Sequence, residues 1–224
     1  MNVSNLTPQP QETDSSKNEF KIYQDRGLAK NVKLVHGVNP VLLVEKITRE
    51  KIQDSIYWKL NCFGINIIGF IEKASSLQLL AGTNISNNPS HFQCLILKLL
   101  QIQPSEEVIR EFLEQKYFKY LTCVALFYVR LCYDSKEVYE VLEPFYEDFR
   151  KIRIRENAYS EVKEYHIDEF VDDMLRKERV CDLILPRLVD RLVLEDNGDL
   201  EPRKSIFENS ESEESDDEVD EDEL

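Results

Sequence analysis

The sequence predicts an all-α protein: a single multi-helix domain set between a disordered N-terminal arm and a disordered acidic tail. Three observations carry this. Apolar residues recur at helical spacing through most of 36–195. Helix-start residues stand ahead of those runs. The run YFKYLTCVALFYVRLCY (117–133) is apolar nearly all round, as a helix buried at the centre of a bundle must be.

In chain order, residues 1–34 are polar, with isolated apolar residues, and read as an arm that buries too little surface to fold. The domain is expected over 35–203. Asn39 is placed to cap a first helix, with Pro40 where a missing N–H costs nothing, and Val41, Val44 and Ile47 follow on one face. DSIYWKLNCFG (54–64) carries the only tryptophan, Trp58. Ile67, Phe70, Ile71, Ala74 and Leu77 trace a helix expected to stop near Gly82, ahead of the loop GTNISNNPS (82–90). Phe92, Leu95, Ile96 and Leu99 line the next helix, which ends before Pro104. Ser105 caps another, with Glu106 and Glu107 in the first turn where the helix dipole favours acids.

After the central helix, Ser135 is expected to cap a helix that Pro144 breaks. Between 151 and 167 the period changes to two, in KIRIRE and SEVKEYHI about NAY, which predicts one short β-hairpin. Helices resume at Asp168, and Pro186 is expected to start a last one reaching about Glu195. Residues 204–224 form the expected tail.

Charge separates the tail from the body. The net charge is −15, yet Glu208–Leu224 alone holds eleven acidic residues and no basic one. Without that segment 32 acidic residues face 28 basic ones, so the body is close to balanced. The five cysteines form no CxxC pair and four sit in apolar runs, which points to buried, reduced thiols in an intracellular protein rather than zinc ligands. The most apolar stretch, Thr122–Val129, is far short of the roughly 20 residues a membrane helix needs, so no membrane role is expected.

HIDEFVDDMLRKERVCDLILPRL (166–188) concentrates one histidine and four carboxylates within eight residues. Ile167, Phe170, Val171, Met174 and Leu175 are spaced as the inner stripe of a helix. Asp168 then falls at the N-cap and Glu169 in the first turn. Asp172–Arg176 and Asp173–Lys177 make i, i+4 pairs in the favourable order. Every acid thus has an ordinary place on a solvated helix face. No GxSxG, GxxxxGK[ST], GxGxxG or HExxH pattern occurs, so neither catalytic residue, metal, cofactor nor small-molecule ligand is expected.

The candidate contacts are of another kind. RKIRIR places Arg150, Lys151, Arg153 and Arg155 within six residues, and in a hairpin Lys151, Arg153 and Arg155 share one face. Such a strip suits phosphate or an acidic peptide. Tyr133, Tyr139 and Tyr146, near helix ends, are candidates for exposed grooves that take partner helices. In the tail, Ser210 and Ser215 each have an acid three residues on, and Ser212 gains one if Ser215 is phosphorylated; these are candidate phosphorylation sites.

Several long blocks resemble the pre-mRNA-splicing factor 38 family: HGVNPVLLVEKI (36–47), YWKLNCFG (57–64), FQCLILKLLQIQP (92–104), FKYLTCVALFYVRL (118–131), LEPFYEDFRKIR (142–153), the 166–188 block and LEPR (200–203). The resemblance implies a nuclear, all-helical, non-enzymatic scaffold. It would join the spliceosome with the tri-snRNP and serve its maturation to the active form. The implied partners are a zinc-finger protein and a long, helical, acidic protein, with small nuclear RNA or pre-mRNA close by. Direct RNA binding through the 150–155 strip is the alternative reading. Some family members continue into an Arg/Ser-rich tail where this chain turns acidic, and contacts through such a tail are not carried over.

Overall fold

The computed structural model describes residues 32–155 and 157–203. Most of the expected arm and all of the expected tail, including Ser210, Ser212 and Ser215, lie outside the described residues. The chain divides into two compact units, residues 1–188 and 189–224.

The first unit is mostly helical, as predicted. Asn39 caps a single 3-10 turn, Pro40–Leu43, its Oδ1 accepting the Val41 N–H at 3.1 Å. Val44 then extends the backbone before α1 (Lys46–Asp54) begins. That break resets the helical face, so Val41 and Val44 are buried as expected while Ile47 is 68% exposed, contrary to expectation. Arg49 enters the core and satisfies its charge by donating to the Val41 and Val44 carbonyls, both at 3.2 Å. A π-helical turn, Trp58–Cys62, follows, closed by the Phe63 N–H on the Trp58 carbonyl at 2.9 Å. It buries Trp58 and Cys62 against the core.

Helix α2 (Ile67–Ser75), capped by Asn66, ends well before Gly82 because Leu80–Ala81 are claimed by a strand, β1. Helix α3 (His91–Ile102) opens on a reciprocal cap between Ser90 and Gln93. Helix α4 (Glu106–Leu113) packs against α5 (Lys119–Cys132), whose residues Tyr120 to Leu131 are all buried, which makes it the predicted centre. Helix α6 (Ser135–Leu142) is capped by Asp134 rather than Ser135, because Asp134 and Glu137 form the reciprocal pair that Ser135 would have lacked. A 3-10 turn, Glu143–Glu147, follows at Pro144.

The expected hairpin is present. Strand β2 (Lys151–Arg155) runs antiparallel to β3 (Lys163–His166) with Arg153 opposite Glu164, and β1 adds in parallel with Leu80 opposite Ile154. Ile152 and Ile154 point into the core and fix the register, since a slip of one residue would expose both. Helix α7 (Ile167–Arg176) begins directly off β3, with His166 as its N-cap; Asp168, expected there, lies in the first turn. Beyond it, β4 (Arg179–Val180) and β5 (Leu183–Ile184) form a hairpin whose two turn residues, Cys181 and Asp182, both take positive φ.

The second unit holds α8 (Arg191–Asp196). Asp190, not Pro186, starts it, because the Asp190 side chain accepts the Leu192 N–H at 3.1 Å.

The core is aromatic at its middle. Phe127 of α5 meets Phe92 of α3 edge to face with centroids 5.2 Å apart, and Phe170 of α7 at 6.4 Å. All five cysteines are free thiols, and all but Cys132 are fully buried. Burial pushes the thiols of Cys62 and Cys94 up to about 11 and about 12, so both pack as small apolar groups. Among the described residues no helix is long and apolar enough to cross a membrane.

Candidate functional site

The alternation along β2 puts Lys151, Arg153 and Arg155 on its outer side, as the period of two predicts, while Ile152 and Ile154 anchor the strand. Arg150, just outside the strand, behaves differently. Its guanidinium pairs with Asp148 at 2.5 Å and donates to the Gln115 and Lys116 carbonyls at 2.6 and 3.2 Å. Arg150 therefore ties the approach to β2 onto the α4–α5 connection. Arg150→Ala is expected to cost about 1.5–3 kcal/mol in urea denaturation, since it removes charge-assisted bonds from a side chain only 26% exposed. Lys151→Ala, on the exposed face, is expected to stay within about 0.5 kcal/mol of the parent.

The outer side of β2 is the wall of two clefts. The first, about 720 Å³, is lined by Lys119, Lys151, Arg153 and Lys163, with Tyr120 and Ile152 at its floor. Its geometry is fixed from below. The Tyr120 hydroxyl accepts the Arg153 N–H at 3.0 Å, and the Lys119 ammonium donates to the Lys151 carbonyl. Burial raises the Tyr120 pKa, which keeps that hydroxyl neutral. Glu164 is the one carboxylate among the described lining residues, and it is engaged by Lys151 at 2.6 Å. That hydrogen bond holds the Glu164 carboxyl below its ordinary value.

The second cleft, about 550 Å³, takes Arg155 and Lys73 and shares Gln78 with the first. Its polar partners are the neutral Asn61, Gln78 and Asn84, and no carboxylate is among its described lining residues. Tyr57 and His91 meet there as a stacked pair, with centroids 3.7 Å apart and planes 11° from parallel. Burial lowers the His91 pKa, so the ring is neutral at physiological pH. Nothing in the local sequence brings these residues together; the contact of α3 with the π-helical turn does.

An apolar surface lies on the other side of that turn. Ile56 and Leu60 are 76% and 77% exposed, and Phe63 and Ile68 are also exposed. Ile56, Leu60 and Phe63 are spaced four and three apart, so they share one side of the helical segment while Trp58 and Cys62 fill the other. The i, i+4, i+7 spacing is present in DSIYWKLNCFG (54–64), but apolar residues occupy both sides, and only packing shows which side faces out.

The three tyrosines separate. Tyr139 is 7% exposed and packs inside, because α6 turns it toward the core, so it lines no open groove. Tyr146 is half-buried and its hydroxyl donates to Asp172 at 3.2 Å, joining the 3-10 turn to α7. Tyr133 is half-buried and lines a separate cleft with His36 and Glu137.

His166, Asp168 and Glu169 form the one group among the described residues whose donor atoms are close enough for a metal ion. Glu169 accepts the His166 N–H at 3.0 Å and sits 3.0 Å from its Nδ1, so this carboxylate already serves the start of α7. The pairs Asp172–Arg176 and Asp173–Lys177 both form as predicted, at 2.8 Å, but Asp173 is buried rather than solvated, because its side of α7 turns toward the core and Lys177 reaches over to neutralise it.

Residues 33–198 match the model of the PRP38 family. The chain is 44% identical over 180 residues to pre-mRNA-splicing factor 38A of Xenopus laevis, covering 80% of this chain and 57% of that protein. It is 48% identical over 170 residues to pre-mRNA-splicing factor 38 of Schizosaccharomyces pombe, covering 76% of this chain and 80% of that protein. The chain thus spans little more than half the length of the frog relative. The crystal structure of the Snu23–Prp38–MFAP1(217–258) complex of Chaetomium thermophilum contains a chain of the same fold. It superimposes with a TM-score of 0.75 at 39% identity, covering 82% of this chain and 98% of that one. A family match running from the first described strand bridge to the last helix, supported by relatives at 44% and 48% identity, establishes that this chain belongs to the PRP38 family.

Proposed function

We propose that this chain acts in pre-mRNA splicing as a non-enzymatic scaffold in the nucleus. It would join the spliceosome with the tri-snRNP, support maturation to the active form, and dock other splicing proteins on its helical surface. The observation that carries this reading is the exposed apolar side of Ile56, Leu60 and Phe63, on a segment whose Trp58 is buried in the core. A side of this shape fits the apolar face of an amphipathic helix. Two facts support it: the relatives are named pre-mRNA-splicing factors, and the matched crystal structure is a complex with Snu23 and a segment of MFAP1. By family resemblance the partners are a zinc-finger protein and a long, helical, acidic protein.

The test is tagged purification from cells of the parent and of the double variant Ile56→Asp/Leu60→Asp. Both side chains are exposed, so the variant is expected to melt like the parent. The parent should recover splicing proteins and tri-snRNP RNAs, and the variant should lose at least one of those proteins about tenfold or more. Full recovery by a folded variant would remove this surface from the account; recovery of no splicing component by the parent would remove the scaffold itself.

A second reading, direct RNA contact by the 150–155 strip, is favoured by the outward side shared by Lys151, Arg153 and Arg155.

A further inference from the structure

The two clefts along β2 have a chemistry that the cationic strip alone does not. Six cations line them (Lys119, Lys151, Arg153, Lys163, Arg155 and Lys73), against the single carboxylate of Glu164. The body as a whole carries slightly more acid than base, so this is a local concentration of charge of the kind that phosphate neutralises. The Arg155 Nε, moreover, is buried with no hydrogen-bond partner among the described residues. At the far end, the Tyr57–His91 pair presents an exposed imidazole backed by a second ring, and neutral amides stand around it. Stacked rings suit a nucleobase, and amides suit the donors and acceptors on its edge. An acidic peptide would use the cations and leave the rings without a role.

We infer that the joined clefts hold a short stretch of single-stranded RNA. Its phosphates lie along Lys119, Arg153 and Lys163, and one base stacks on His91 where the path turns past Gln78. The inference rests on RNA contact by the 150–155 strip and adds to it the strandedness of the RNA and the site of the base. A duplex cannot meet both ends, since its bases are stacked within the helix and withdrawn from His91.

The measurement is fluorescence anisotropy of a labelled 12-nucleotide oligouridine with the full chain, across about 50–200 mM KCl. Binding should weaken steeply with salt. Arg153→Glu/Lys163→Glu, at two exposed positions, should weaken it about tenfold or more and flatten the salt slope by about 1.4, two contacts at roughly 0.7 each. His91→Ala should weaken oligouridine binding about tenfold while leaving inorganic polyphosphate binding unchanged. The helix start survives that change because Ser90 and Gln93 supply the cap, and circular dichroism melts of each variant check it.

Five results overturn the inference in whole or in part, and they are distinguishable. No oligouridine binding by the folded parent, or binding indifferent to the charge reversal, removes the strip as an RNA contact together with the inference. Unchanged oligouridine binding by His91→Ala leaves the strip and removes the base site. Polyglutamate that competes as well as oligouridine, and is lost on the same charge reversal, marks a groove for acidic peptide. A duplex that binds as tightly as the single strand removes the strandedness.

Discussion

Phe127→Ala is expected to destabilise the first unit by about 3–5 kcal/mol. Phe127 has no exposed surface and lies on the central helix α5, where it touches Phe92 edge to face and Phe170 face to face. Its removal opens a cavity where three helices meet, and none of the three can close it. Both neighbours of α5 are anchored: α3 by Gln93 donating to the Cys181 carbonyl at 3.0 Å, and α7 by its Met174 carbonyl, which accepts from the Arg130 Nε of α5 at 2.8 Å. A loss of several kcal/mol is comparable to the whole stability of an ordinary domain. Chemical denaturation followed by circular dichroism should show a large fall in midpoint, with Phe127→Leu recovering most of it because volume is nearly restored. A change below about 1 kcal/mol would mean that the aromatic centre is not tightly packed.

Gly82→Ala is expected to produce the second large loss, by a different cause. A Cβ at residue 82 would sit 2.5 Å from Cγ and 2.8 Å from Cβ of Asp182, inside van der Waals contact with the root of a side chain rather than its tip. Asp182 cannot swing away cheaply. Its carboxylate accepts the Thr83 N–H at 2.8 Å, and its backbone is held at positive φ in the β4–β5 turn. Overpacking of this kind costs about 1–3 kcal/mol or more. The expected signature is a lowered melting temperature that Asp182→Gly partly restores in the double variant, because glycine clears the space and also prefers positive φ. An additive double variant would show that the two positions do not meet.

The two losses differ in how far the sequence forecasts them. Phe127 lies in a run apolar on every side, and only burial satisfies such a run. Its central position therefore follows from composition and period. Gly82 reads as the start of a loop, and nothing nearby identifies Asp182, a hundred residues on, as its neighbour. The same division holds at the surface. The strip on β2 was legible because a period of two sends Lys151, Arg153 and Arg155 to one side whatever lies beyond the strand. Arg150 is one residue outside that regularity, and its pairing with Asp148 and the Gln115 carbonyl depends on where α4 ends in space.

Local pattern by itself determined the helical class, the central helix, the hairpin at 151–167 and the i, i+4 acid–base pairs of α7, because period and capping act over a few residues. The long blocks shared with the splicing-factor family determined the kinship. The tertiary structure alone decided which side of the Ile56–Phe63 segment faces out, that β1 joins β2 to complete a sheet, and that Tyr57 meets His91. Each of those depends on which elements pack together, and a packing partner distant in the chain leaves no trace in the residues nearby.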